Sequence, residues 1–258
     1  MCIIVTKDKG VRPLDYNILR TCFAENPDGA GFMVAQGGAV KIHKGYATFD
    51  EFKAAFTPYN KKENAVVCHF RIRTHGKKGP DMCHPFPLTR KTKRLRKRET
   101  TAEVGVAHNG MITWIDGDND LSDTALFTRD YLTRIITGPD FYRDTKTGDI
   151  IEALLSGDRL AVMTGDGHIQ RYGSWEMEKG VYYSNESYKG TRKVYTSYTW
   201  DKWYEDNGDW FKWYDKADDD DTLTVTDYDR GYNDGYYDCL CDMENGDNTF
   251  NPYDEGVR

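Results

Sequence analysis

Apolar residues along this chain recur with two periods, and the short β-branched or alternating runs among them predict strands. Two runs flank the pair Gly37 and Gly38, and two flank the turn at 165–167, so each pair suits a hairpin. The runs at 64–74 and 105–114 have the composition of central strands. The predicted strands are CIIVT, GFMVAQ, AVKIHKG, 64–74, 105–114, Arg159–Thr164, 168–172 and GVYYSN.

Helical spacing marks four other segments. Thr48 and Ser122 stand where N-caps belong, and Glu51 lies three residues after Thr48 as in a capping box. The predicted helices cover 13–25, 49–58, 122–136 and 148–155. Because the helices fall into two groups and β-α-β alternation is scarce, the pattern favours an α+β sandwich over a doubly wound sheet.

Charge divides the chain into two unlike parts. Residues 201–258 hold 18 Asp or Glu and 5 Lys or Arg, whereas residues 1–200 hold 24 acidic and 30 basic residues. The acidic part is also rich in aromatic residues and lacks a sustained period, and its charge opposes a compact core. We therefore predict a domain over 1–198 and an acidic, aromatic-rich tail over 199–258 that is disordered or folds on contact.

The sequence carries no membrane or export signal. No run of 18 apolar residues is present, and the start of the chain lacks the charged and then apolar pattern of a signal peptide. We therefore expect a cytoplasmic protein with no membrane partner. Thiols stay reduced in that compartment, so the six cysteines are expected to be free.

Four short segments contain residue types that suit chemistry. Cys2 follows the initial methionine, R-I-R-T-H-G begins at Arg71, H-N-G begins at His108 and S-D-T begins at Ser122. Each has an ordinary structural explanation, because a strand cysteine is usually core, Asn-Gly is usually a turn and Ser-Asp-Thr is usually a cap. Their combination and order are far more specific than any one of them.

This order resembles the class II glutamine amidotransferase domain, a member of the N-terminal-nucleophile hydrolases. That family has a cysteine exposed by methionine removal, then H-x-R-x-x-T-H-G, H-P, V-x-H-N-G and S-D-T. The matching residues, within roughly 2–190, are Cys2, 69–76, His84-Pro85, 106–110 and 122–124. The resemblance implies a four-layer α/β/β/α sandwich, no cofactor and hydrolysis of the glutamine side-chain amide. Ammonia would pass to a separate acceptor protein, because nothing after residue 200 is long or apolar enough for a synthase domain.

The resemblance also implies roles for single residues. Cys2 is the expected nucleophile, and the Asn109 side-chain amide and the Gly110 backbone N–H are the expected oxyanion donors. Arg71 is the expected partner of the glutamine carboxylate, since arginine can clasp a carboxylate bidentately, and Asp123 is the expected partner of its ammonium group. The expected substrate-binding residues are Arg71, Thr74, His75, His84 and Asp123.

The chemistry of cysteine agrees with this interpretation. The thiolate is the attacking species, yet a thiol with a pKa of about 8.5 is mostly protonated at neutral pH. Removal of Met1 would give Cys2 an α-amino group with a pKa of about 7.7–8.0, which suits a general base. One residue would then supply both nucleophile and base, so no catalytic histidine is required.

Departures from the family pattern leave alternatives open. The family often has glycine after the nucleophile and Trp-Ala within the arginine motif, whereas this chain has Ile3 and Ile72-Arg73. Arg73 adds a charge beside the pocket, so the substrate could be another γ-glutamyl compound or a protein amide. A non-catalytic binding protein is a further alternative. A zinc site among the cysteines and histidines of 68–84 is disfavoured, because no C-x-x-C pair exists and adjacent strand residues face opposite sides.

A dense basic run lies between two of the motifs. Seven of the nine residues from Arg90 to Arg98 are Lys or Arg, which is typical of a solvated, mobile loop. Its position beside the expected pocket makes it a candidate contact for nucleic acid or a phosphate-bearing partner. The acidic tail could instead fold back on it.

Overall fold

The computed structural model describes residues 2–72, 79–115 and 121–190, and its strands form two antiparallel sheets. The strands are β1 Ile3–Lys7, β2 Ala30–Gln36, β3 Ala39–Tyr46, β4 Val66–Phe70, β5 Phe86–Pro87, β6 Glu99–Ala102, β7 Val104–Asn109, β8 Arg159–Thr164, β9 Ile169–Tyr172, β10 Glu176–Glu178 and β11 Val181–Tyr183. One sheet has the order β10-β11-β1-β4-β2-β3-β6, and the other has the order β5-β7-β8-β9. The predicted tail at 199–258 lies outside the described residues.

The helices occupy two stretches of the sequence, one before β4 and one between β7 and β8, except for a short helix between β5 and β6. The α-helices are α1 Tyr16–Glu25, α2 Phe49–Phe56, α3 Thr92–Leu95, α4 Asp123–Leu126, α5 Thr133–Ile135 and α6 Thr145–Leu155. A π-helical segment, Phe127–Leu132, joins α4 to α5. No helix among the described residues has the length and apolar character needed to cross a membrane.

Strand β1 lies in the middle of the seven-stranded sheet. It pairs with β4 on one side, where Ile3 lies opposite Phe70, and with β11 on the other, where Val5 lies opposite Tyr183. All five of its residues are buried. Successive side chains of a strand point to opposite faces, so a strand buried on both faces reads as a continuous apolar run, as CIIV does.

Successive side chains of β1 point to opposite faces of the sheet and so pack into two different hydrophobic cores. Ile3 and Val5 pack with residues of α1 and α2, whereas Ile4 packs with Ala107 and Ala161 of the other sheet. On the far face of that second sheet, side chains of β7 and β8 pack against the helices that lie between those two strands. Members of this third core are Val106, Phe127, Ile151, Leu160 and Val162. The second sheet therefore has one face against the first sheet and one against helices.

The predicted α+β class and both hairpins are confirmed, and several boundaries are not. Thr48 and Ser122 cap α2 and α4 as predicted, each side-chain oxygen accepting a backbone N–H three residues on. The strand predicted over 64–74 ends at Phe70, and the one predicted over 105–114 ends at Asn109. The second error has a local cause, because the backbone leaves the extended conformation at Gly110, where φ is +154°.

The basic segment at 90–98, predicted to be a solvated, mobile loop, contains the short helix α3 and leads into β6, which pairs with β3. Leu95 is fully buried, and its carbonyl oxygen accepts a hydrogen bond from the buried Lys44 amine at 2.6 Å. Arg96 forms an ion pair with Asp81 at 2.6 Å. The burial of Leu95 and these polar contacts thus hold the segment in place, although its charge density predicted otherwise.

Candidate active site

Cys2 directly precedes β1, an interior strand of the larger sheet. Its Sγ donates to the carbonyl oxygen of Ile72 at 3.3 Å, and the Asn185 side-chain Nδ2 donates to the Cys2 carbonyl oxygen at 2.8 Å. The residue is only partly buried, unlike the three following residues of β1, which are fully buried. The core around β1 thus holds Cys2 in place, while the residue as a whole stays partly exposed.

The environment of Cys2 keeps its thiol protonated. Burial raises the pKa of this thiol above its ordinary value, and the hydrogen bond to Ile72 and the positive charge of Arg71 offset only part of that effect. A thiol at this position therefore needs a base to remove its proton as it attacks. Among the described residues no histidine has a hydrogen bond to Sγ.

Asn109 ends β7 in the second sheet and links it to the first. Its Nδ2 lies 2.9 Å from Ser184 Oγ, which also accepts the backbone N–H of Ile4 at 2.8 Å. Asn109 is 3 % exposed, and its Oδ1 is shut off from solvent without a hydrogen-bond partner among the described residues. Burying an unpaired amide oxygen costs about 1–3 kcal/mol, which the fold must offset elsewhere.

Gly110 occupies a position that only glycine fits. A Cβ built there would lie 1.9 Å from the carboxyl carbon of Asp158, and the backbone φ of +154° disfavours other residues as well. Asp158 Oδ2 in turn lies 3.1 Å from His108 Nε2, whereas His108 Nδ1 lies 3.0 Å from Thr124 Oγ1. The His108 side chain thus supports the turn through Asp158 and Thr124.

Two further histidines lie behind this turn. His69 Nε2 and His84 Nδ1 lie 3.2 Å and 3.0 Å from the carbonyl oxygen of His108, and their rings are 4.3 Å apart. Burial lowers the pKa of His69 to about 3 and that of His84 well below its ordinary value. Both are neutral at pH 7. His84, expected to line the pocket, instead has its described polar contacts with the backbone of the His108 turn.

Arg71 continues from β4 beside Cys2. Its backbone is held by Gly29 and Asp28, and its side chain is mostly buried. The guanidinium Nη1 lies 3.5 Å from the carbonyl oxygen of Gly79, which is a weak contact. Its charge favours the thiolates of both Cys2 and Cys83 against the larger effect of burial. A mostly buried cation beside the thiol suits an anionic substrate group.

Asp123 lies at the start of α4, where it holds the turn that follows Gly110. Its Oδ2 accepts the backbone N–H of Ile112 at 2.9 Å, and its Oδ1 accepts that of Thr124 at 2.7 Å. Both carboxylate oxygens therefore already have backbone partners. Binding of a substrate ammonium group would have to use their remaining lone pairs.

The expected pocket residues Thr74 and His75, and the additional cation Arg73, lie outside the described residues. Among the described residues, no three or more His, Cys, Asp or Glu side chains come together as a metal site. Cys2, Cys22, Cys68 and Cys83 are free thiols.

Sequence reasoning missed Ser184, Asn185 and Asp158. The first two end the run GVYYSN, which predicts only a short strand, and Asp158 follows a glycine in an ordinary loop. None belongs to a motif. Only their position could have indicated a role in the site, because polar residues that directly follow a buried strand lie at the end of a sheet. No protein-family model matches the chain, and no curated protein matches it either.

Proposed function

We propose that the protein is a glutaminase of the class II glutamine amidotransferase type, with Cys2 as nucleophile. The main support is that Ser184 bonds the Asn109 amide while its neighbour Asn185 bonds the Cys2 carbonyl. The proposed nucleophile and the proposed oxyanion donor, on different sheets and 107 positions apart, are thus held by two adjacent residues. The three cores of the two sheets support the four-layer arrangement that belongs to this proposal.

The proposed reaction begins once Met1 has been removed and Cys2 carries the free α-amine. This amine takes the thiol proton as sulfur attacks the γ-carboxamide carbon of L-glutamine. The oxyanion that forms accepts hydrogen bonds from the Asn109 amide and the Gly110 N–H, and the loss of one such donor costs about 2.7–4 kcal/mol. The ammonium group returns its proton to the leaving nitrogen, so ammonia departs and a glutamyl thioester remains. Water then cleaves the thioester, giving glutamate and the free thiol.

Burial works against the thiolate of Cys2, which is consistent with transfer of the thiol proton to a base during the attack itself. The proposal places the enzyme in the cytoplasm, with a separate protein as acceptor of the ammonia. A phosphate-bearing partner or nucleic acid at the basic segment of residues 90–98 stays a prediction.

The test is release of ammonia and glutamate from L-glutamine by full-length protein whose N-terminus mass spectrometry shows to be Cys2. We expect Cys2→Ala to reduce the rate to background and Cys22→Ala, which removes a buried thiol of α1, to leave turnover unchanged. Equal turnover by the wild type and Cys2→Ala would refute the proposal. Retention of Met1 in native protein would favour the non-catalytic alternative, since an acylated amine cannot act as the base.

One observation favours a second substrate class, a glutamine side chain within a protein. Both oxygens of Asp123 already accept backbone N–H groups, and such a substrate has no free ammonium group for Asp123 to bind. The two candidates differ in one measurement. Asp123→Asn should raise KM for free glutamine if the ammonium group is recognised, and should leave a glutaminyl peptide unaffected. Charge removal in Arg73→Gln should likewise change the relative rates on the two substrates.

A further inference from the structure

We propose that Ser184 is a positioning residue that selects the orientation of the Asn109 side-chain amide, so that the nitrogen and not the oxygen of this amide meets the developing oxyanion. This inference rests on the proposed function for its kinetic consequence. Its structural part, the orientation of one amide, is independent of any activity.

The starting point is an imbalance of donors and acceptors around Ser184 Oγ. This hydroxyl accepts the Ile4 N–H at 2.8 Å and also faces Asn109 Nδ2 at 2.9 Å. A serine hydroxyl has two lone pairs and one hydrogen, so this arrangement uses both lone pairs and leaves the hydrogen unused. At the same time Asn109 Oδ1 is a buried acceptor with no partner among the described residues. A spare donor and a spare acceptor thus belong to two side chains that already touch.

A half-turn of the amide about its Cβ–Cγ bond pairs the unused hydrogen of Ser184 with the unpaired oxygen of Asn109. The two orientations occupy nearly the same volume, because oxygen and NH₂ exchange places. In the turned orientation the Ser184 hydroxyl donates to Asn109 Oδ1 and still accepts the Ile4 N–H. Ser184 then uses its hydrogen and a lone pair, and the Asn109 nitrogen, not its oxygen, is the group left without a partner among the described residues.

The turned orientation is also the one that the chemistry requires. It directs Nδ2, with both of its hydrogens free, away from Ser184, to the position that Oδ1 holds in the described orientation. A donor held there before the reaction begins stabilises an oxyanion, whereas a carbonyl oxygen at the same place would repel it. Ser184 can hold this arrangement firmly, because it is 1 % exposed and its own N–H bonds the Ile4 carbonyl at 3.0 Å.

The kinetic test compares Ser184→Ala with Ser184→Thr in full-length protein processed to Cys2. We expect Ser184→Ala to lower kcat for glutamine by on the order of 10- to 100-fold with KM within about twofold, because the oxyanion donor acts only in the transition state. Ser184→Thr, which keeps the hydroxyl, should recover most of that loss. Alkylation of Cys2 by iodoacetamide creates no oxyanion, so its rate should be the same in both variants.

Two outcomes of this kinetic test would overturn the proposal. One is wild-type kcat in Ser184→Ala. The other is a parallel fall of kcat, alkylation rate and melting temperature, which would show that Ser184 only supports the fold around Cys2. The double variant Ser184→Ala/Asn109→Ala provides a control, since its loss should be no larger than that of Asn109→Ala alone if the serine acts through the asparagine.

Neutron diffraction on deuterium-exchanged crystals decides the orientation directly. We expect a deuteron on Ser184 Oγ directed at Asn109 Oδ1 and two deuterons on the amide nitrogen that points away. Deuterons on the amide atom nearest Ser184 would refute the proposal, whatever the enzyme assays show. A wild type without Cys2-dependent glutamine hydrolysis would refute the proposed function, and the neutron map would still decide the orientation.

Discussion

The two ends of the paired sheets are formed by the same strands, but they differ in how far their polar groups are hydrogen-bonded. At the end that carries Cys2, the buried residues include Arg71, His84 and Asn109, and buried polar atoms lack partners. At the other end, strands meet in glycine turns around an open cleft of about 260 Å³. There Asp166 accepts hydrogen bonds from the Thr164 hydroxyl and the His168 N–H.

The difference shows where the molecule keeps polar groups that lower the stability of the fold. Polar groups in turns are satisfied locally by their own neighbours, which makes such turns inexpensive. Buried polar atoms without partners each cost stability, and native proteins hold few of them. Two of these atoms, Asn109 Oδ1 and His69 Nδ1, belong to the turn of His108 and its backing. The other four such atoms among the described residues belong to Asn26, His43, Thr128 and Tyr172. We interpret the incompletely paired amide of Asn109, on the turn proposed to hold the oxyanion, as the mark of a site whose partner is a substrate, and the following predictions test it.

The largest contrast is expected between glycines at the two ends. Gly110→Ala should lower kcat on glutamine by on the order of 10²-fold or more, because a Cβ there would collide with Asp158 and displace a proposed oxyanion donor. Gly38→Ala also places a side chain at positive φ but meets no atom within 4 Å. Its cost should be about 1–2 kcal/mol of stability with unchanged kcat. Steady-state kinetics and thermal unfolding of both variants measure the contrast, and similar kcat values would contradict it.

Two arginines provide the second contrast. Arg71→Lys should lower kcat/KM for glutamine by roughly 10- to 100-fold through a higher KM, since lysine cannot form the bidentate contact proposed for the carboxylate. Arg171 bonds Thr6 and Asp8 near the opposite end, at 2.7 Å and 2.9 Å. Arg171→Lys is therefore expected to change stability by less than about 1 kcal/mol and KM not at all. A raised KM in the second variant alone would contradict the assignment of Arg71.

The histidines behind the His108 turn should make the fold acid-sensitive. Their folded pKa values are lowered, so below the unfolded value of about 6.5 the unfolded chain binds protons that the folded chain does not. The free energy of unfolding should therefore fall with decreasing pH from about 6.5 towards 3, by about 1.4 kcal/mol per pH unit for each histidine. Chemical denaturation at several pH values measures the slope. His69→Gln, which keeps a donor for the His108 carbonyl, should reduce it.

The smallest effect is expected at the far turn. Asp166→Ala removes two hydrogen bonds of an exposed turn, which should cost about 1 kcal/mol of stability. Glutamine turnover should be unchanged, because this residue lies at the end of the strands remote from Cys2. A turnover defect as large as that of Arg71→Lys would mean that the far cleft takes part in the reaction.

The sequence predicted the elements of the fold because burial and period are local properties. The run CIIV, the Gly37-Gly38 hairpin and the caps Thr48 and Ser122 all follow from neighbouring residues, and all are present. Order along the chain also pointed to Cys2, Arg71 and Asn109. Their proximity depends on pairing between distant strands, which only the structure shows.

The supporting residues could not be predicted for the same reason. Ser184 matters through Ile4 and Asn109, which lie 180 and 75 positions away. Leu95 is buried in a cluster with Ala125, and its carbonyl oxygen accepts a hydrogen bond from Lys44. The charged residues next to Leu95 along the chain gave no sign of this burial. Such residues are of common types, and their importance comes from distant contacts. A pattern along the sequence shows the residue type but not those contacts.

The bond between Asn185 and Cys2 also sets an order of events during synthesis. These residues are 183 positions apart, so the first residue of the proposed site is bound by one of the last in the described domain. At about 5–20 residues per second, a ribosome takes roughly 10–40 s to reach the second after the first. Throughout that interval Cys2 lacks this contact, and the proposed pocket around it is incomplete. Under the proposed mechanism, removal of Met1 can thus finish before the newly made chain is able to bind a substrate.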